Sequence, residues 1–77
     1  MKAEDLIELL EERPFSPIRL HLSNGRTHDI RHPEMAIVSE DIVTIGLPPD
    51  ETSLLADRVT HCATAHIVEA EPMINRR

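Results

Sequence analysis

The chain has no tryptophan and no tyrosine, one phenylalanine (Phe15), one cysteine (Cys62) and two glycines (Gly25 and Gly46) among its 77 residues. Each scarcity excludes something. With a single aromatic ring there is no set of platforms on which nucleic-acid bases usually stack. Burial has to rest on Leu, Ile, Val, Met and Ala, at roughly 1.5–3 kcal/mol for each large side chain. A lone cysteine forms no internal disulfide and fits a reducing compartment. Two separated glycines do not make a glycine-rich phosphate loop. No apolar run approaches the ~20 residues of a membrane-spanning helix. The start MKAEDLIELLEERP lacks the basic segment and continuous apolar run of a secretory leader. A cytoplasmic protein without a membrane partner is expected. The length suits one domain, assigned to residues 1–72 with a tail at 73–77, and a small core.

The net charge of -6 is unevenly placed. Residues 1–12 carry one Lys against five acids, and residues 13–32 carry four Arg against one acid. Residues 33–57 hold six acids and no cation, and residues 58–77 hold three Arg against two acids. Strong phosphate-backbone binding needs clustered Lys and Arg, so the balance argues against it everywhere except in the second segment.

Ala3, Leu6, Ile7 and Leu10 recur at helical spacing, with Glu4, Glu8, Glu11 and Glu12 outside that stripe. Pro14 closes this short amphipathic helix, which is too short to be stable unless its apolar face docks. From Pro17 the period becomes two. Ile18, Leu20 and Leu22 alternate with Arg19, His21 and Ser23, then Asn24-Gly25 marks a turn. A two-residue turn would set Leu20 opposite Asp29. A three-residue loop, Ser23 to Gly25 with Gly25 left-handed, sets Ile18 opposite Ile30 and Arg19 opposite Asp29, and is preferred.

The second strand, residues 26–32, ends at Pro33. Residues 35–38 and 42–47 are apolar runs separated by Ser39-Glu40-Asp41, either a tight hairpin or a bulge in one bent strand, with the hairpin preferred. Residues 48–53 form an acidic loop, with Leu54-Leu55 as a short helical turn. Residues 58–63 and 66–70 close the fold as strands. A helix followed by five or six short antiparallel strands, without a βαβ rhythm, points to a mainly β protein: a small barrel of strongly bent strands.

The string HLSNGRTHDIRHPEMAIV, preceded by RPFSPIRL and followed by HIVEAEP, resembles a group of small bacterial proteins of unknown function. In them a segment RPF.P.R..LSDGR...IRHPE.A.V recurs, and the resemblance covers about residues 12–47 and 64–72. A more remote resemblance is to the Sm-like fold. LSNGRTHDI is similar to its first hairpin and TAHIVEAEP to its closing segment. That resemblance implies an RNA site in which a Lys-His pair of the closing segment lines a pore and an Asn near an earlier strand helps hold the base. His66 matches the His, but Ala65 stands in place of the Lys, and Ala36 follows Met35 where many Sm proteins have Asn. The resemblance thus implies the fold with an altered RNA site, and a generic SH3-like barrel also fits.

Five histidines and a cysteine raise a metal site, but His28 and His32, if both lie in one strand, are about 13 Å apart. Neighbours in a strand point to opposite faces, which separates His61 from Cys62 as a catalytic pair. Glu34, Glu40, Asp41, Asp50 and Glu51 fall in turns or a loop, where solvated charge is ordinary. No enzyme activity, metal or cofactor is expected. Arg19, Arg26, Arg31, His32 and His66 are the candidate partner or RNA-binding residues, with cross-strand pairing to Asp29 as the plainer account of Arg19 and Arg31. The function expected is a non-enzymatic interaction module that self-associates through barrel edges, since a thin core gains most from pairing exposed strands. The alternative is an Sm-like RNA binder with an altered site.

Overall fold

A computed structural model of the protein describes residues 1–50 and 52–73. In chain order the elements are α1 (Ala3–Glu11), β1 (Ile18–Leu22), β2 (Thr27–Ile30), β3 (Ala36–Val38), β4 (Ile42–Leu47), β5 (Arg58–Ala63) and β6 (Ile67–Pro72), with 3-10 turns at Pro33–Met35 and Thr64–His66.

α1 follows the apolar stripe: Leu6 and Leu10 are buried, while Ile7, at the margin of the stripe, is half-buried. Glu4 and Asp5 stand in the first turn, where negative charge suits the helix dipole. Glu12 is extended, and Arg13 Nη1 donates to the carbonyls of Leu10 (3.0 Å) and Glu12 (2.7 Å). Those bonds satisfy acceptors that the helix end leaves open. The Met1 ammonium donates to the carbonyls of Thr64 and Ile67, at 3.3 and 3.0 Å, and ties the helix to the last 3-10 turn and β6.

The first hairpin has the three-residue loop. Ile18 pairs with Ile30, Arg19 with Asp29 and Leu20 with His28. Gly25 takes φ +88°, its N–H donates to Leu22 O at 2.9 Å, and the Asn24 side chain accepts from Arg26 N at 2.9 Å. A positive φ of that size costs Gly little and a β-carbon more. On its other edge β1 pairs antiparallel with β6, setting Arg19 opposite Glu71 and Leu20 opposite Ala70, with a register shift between His21 and Leu22. The second sheet runs β3-β4-β5, also antiparallel, with Val38 opposite Val43 and Val43 opposite Cys62. Ser39 to Asp41 is therefore a hairpin connection, closed by Ser39 N donating to Ile42 O at 2.9 Å. The fold is mainly β: one helix and two three-stranded sheets, with no ladder joining them among the described residues.

Several boundaries differ from expectation. Strand β2 stops at Ile30, so Arg31 and His32 leave the ladder as the chain approaches Pro33, which opens a 3-10 turn containing Met35. Proline cannot donate to a ladder and pre-sets the turn. His66 closes a 3-10 turn and does not begin β6, which extends to Pro72. Leu54 and Leu55 form no helical turn; both lie exposed in a bent segment in which Ser53 Oγ accepts from Leu55 N at 3.1 Å. One turn of helix is not self-supporting without apolar docking. Among the described residues no helix is long and apolar enough to cross a membrane.

The core lies where the inner faces of both sheets meet α1. Leu6, Leu20, Ile30, Val43 and Ile45 are wholly buried, joined by Ile18, Cys62 and Ile67. Strand alternation places Arg19 and His21 of β1, and Thr44 and His61 of β4 and β5, on the opposite faces. Truncating Leu20 to Ala is expected to cost about 2–5 kcal/mol. Val59→Thr, on an exposed strand position, is expected to change stability by less than about 0.5 kcal/mol. Urea unfolding followed by far-ultraviolet circular dichroism checks both.

Candidate binding surface

The outer face of the first sheet gathers the arginines singled out in the sequence. Arg19 sits on the central strand with Asp29 beside it on β2 and Glu71 beside it on β6. Its Nε donates to Asp29 Oδ1 at 2.8 Å and its Nη2 to Asp29 Oδ2 at 3.2 Å. Arg31 Nη2 donates to the same Oδ2 at 3.4 Å. The hydrogen bond from Arg19 holds the Asp29 carboxyl below its ordinary range against the opposing effect of burial. The same bond raises the Arg19 guanidinium. Arg19 and Arg31 are thus engaged across the strands, as the plainer reading expects. Arg26 lies beyond the hairpin loop, exposed. Next along this face His21 Nε2 is hydrogen-bonded to Glu71 Oε1 at 2.8 Å, a pairing of residues 50 apart that strand periodicity alone does not reveal.

His66 is elsewhere. Its Nδ1 is hydrogen-bonded to Ser23 Oγ at 3.1 Å, and Ser23 N donates to His66 O at 2.8 Å, so the last 3-10 turn is clasped to the first hairpin loop. A shallow depression of about 240 Å³ lies there, lined by Leu22, Asn24, His61 and His66. Ala36, the other position compared with the Sm-like RNA site, borders a different depression with Ile7 and Leu10. His66 and Ala36 are therefore not brought to one pocket.

Cys62 is buried opposite Val43, while His61 faces outward with Nδ1 hydrogen-bonded to Thr44 Oγ1 at 2.8 Å. Burial pushes the Cys62 thiol up, away from the reactive thiolate. Among the described residues no three His, Cys, Asp or Glu side chains gather as a metal site. Glu34 is in a 3-10 turn, and Glu40 and Asp41 form the β3–β4 connection. Asp50 accepts from Thr52 N (3.0 Å) and Thr52 Oγ1 (2.8 Å), bonds that lower its pKa. Glu51 lies outside the described residues.

The third gathering is a cleft of about 320 Å³ where the two sheets part. His28, Arg31 and His32 border it from the β2 side, and Leu47, Pro48 and Arg58 from the second sheet. The sequence separated His28 from His32 on the premise of one continuous strand. The end of β2 at Ile30 removes that premise, and both line this cleft. Arg58 and His28 were missed as members, because nothing local links position 58 to the first hairpin. Inside the fold His32 Nε2 is sealed from solvent and has no hydrogen-bond partner.

No family model matches the chain, and neither a curated protein nor a solved structure matches it.

Two outcomes follow from this surface. Because the folded Asp29 carboxyl titrates below its unfolded value, its contribution is full above about pH 4 and is lost as pH falls through the lowered value. Asp29→Asn is therefore expected to lower the urea midpoint at neutral pH, and the deficit to shrink on acidification. His32→Phe keeps a planar ring and removes the unpartnered nitrogen, so it is expected to stabilise the protein by about 1–3 kcal/mol in the same assay.

Proposed function

We propose that this chain is a non-enzymatic interaction module that associates with copies of itself through the free edges of β5 and β6, as a small open barrel of Sm-like or SH3-like strand order. The order β2-β1-β6 and β3-β4-β5, with a 3-10 turn leading into the last strand, supports that architecture. The observation that carries the association is the complementarity of two open edges. β5 is bonded to β4 alone and β6 to β1 alone, leaving each with a row of unpaired backbone groups. β5 bears Arg58 and His61 and no acid, whereas β6 bears Glu69 and Glu71 and no cation.

Val59 on β5 and Val68 on β6 are 59% and 66% exposed, an apolar contact in waiting on each edge. Pairing β6 with β6 would set acid against acid. Pairing β5 of one copy with β6 of the next sets opposite charges together, the arrangement favoured for strand addition between chains. Such a contact is head-to-tail and closes into a ring or continues as a fibre.

Light scattering on the purified chain tests this. The expected result is an oligomer that Val59→Glu, which puts an acid on β5 against the acids of β6, shifts toward monomer. Ile37→Glu, equally exposed on β3, is expected to leave the assembly intact. A monomer at high concentration overturns the proposal. The chain has no Trp or Tyr, so absorbance at 260 nm travelling with the protein reports bound nucleic acid directly, the result that would favour an Sm-like RNA binder instead.

A further inference from the structure

The cleft between the sheets is independent of the proposed edges, and its chemistry differs from theirs. It draws on segments far apart in sequence: His28, Arg31 and His32 beyond the first hairpin loop, and Arg58 at the start of β5. Two cations and two imidazoles thus converge in a protein whose net charge is -6. The two carboxylates at its border each have bonds of their own. Asp29 takes two from Arg19, and Asp50 takes two from Thr52. Arg58 reaches an acid only at 3.6 Å, through Asp57. The floor is apolar, with Met35 from the 3-10 turn and Leu47 and Pro48 from the end of β4.

Gly46 keeps that floor open. A β-carbon there would stand 3.0 Å from Ala56 Cβ and 3.1 Å from Met35 Sδ. The volume, about 320 Å³, falls at the small end of the range of ligand pockets, which are mostly apolar with a few convergent polar groups. His32 Nε2, sealed and without a partner, is a polar atom whose cost a bound acceptor or donor would recover.

We propose that this cleft binds a small organic carboxylate with a short apolar body. Arg58, Arg31 and the imidazoles of His28 and His32 meet the carboxylate, and Met35, Leu47 and Pro48 cover the apolar part. A compact dianion such as phosphate suits the site less well, because Asp29 and Asp50 border it and the floor offers no polar group to a second charge.

The test is a titration of the unmodified chain with acetate, hexanoate and inorganic phosphate, following imidazole and arginine resonances by heteronuclear NMR at slightly acidic pH. Hexanoate is expected to bind saturably with shifts at His28 and His32 and little change at His21, His61 and His66. It is expected to bind at least about tenfold more tightly than acetate, from burial of its methylenes. Arg58→Ala, at a side chain 70% exposed, is expected to weaken hexanoate about tenfold or more through loss of a charge-assisted hydrogen bond. His32→Phe is expected to weaken it while remaining folded. No saturable binding of hexanoate, equal shifts at all five histidines, or tighter binding of phosphate than of hexanoate overturns the proposal.

Discussion

The pairing of β1 with β2 is the constraint from which the rest of the structure follows. β1 is the central strand of its sheet and is bonded on both edges. Side chains alternate with period two, so a slip of one residue would turn Ile18 and Leu20 outward and bring Arg19 and His21 into the core. Gly25, by accepting φ +88°, permits the three-residue loop that sets Ile18 on Ile30. The same register delivers Arg19 to Asp29 on one side and to Glu71 on the other, so one turn residue controls both the buried face and the charged face of this sheet.

The core built on that register is small. It is made of aliphatic side chains and one cysteine, drawn from α1 and from strands of both sheets. Its thinness has a structural consequence: the sheets stay as two three-stranded units whose outer strands are left with open edges. Complementary charge on β5 and β6, and exposed valines on both, turn those edges from a hazard into surfaces suited to pairing. The helix, held by Leu6, Leu10 and the Met1 ammonium, covers part of the core that the strands leave open.

The cleft arises from the same geometry at another place. Where β2 ends and the chain passes through Pro33–Met35 into the second sheet, the two sheets separate. Side chains that a continuous strand would have kept apart, His28 and His32, then share one wall. Arg58 arrives from the other sheet. The unpartnered His32 nitrogen is the mark of a local cost in a protein with little stability to spare, and such costs tend to be tolerated where a binding site is built.

Much of the fold was legible in the chain because its determinants are local. The spacing of Leu6 and Leu10, the alternation from Ile18 to Leu22, the Asn24-Gly25 turn and the polar break at Ser39 to Asp41 each act within a few residues, through periodicity and turn chemistry. They sufficed for the helix, the register of the first hairpin and the β3–β4 connection, and the cross-strand pairing of Arg19 with Asp29 followed from that register. The grouping of site residues was not legible. His21 with Glu71, Ser23 with His66, and Arg58 with His28 and His32 join positions whose separation carries no periodic signal. Only the closing of the chain into two packed sheets brings them together. The sequence by itself determined which residues alternate, turn and are buried along each segment. The tertiary structure alone decided which side chains meet across the sheets, because that depends on where the long connections return.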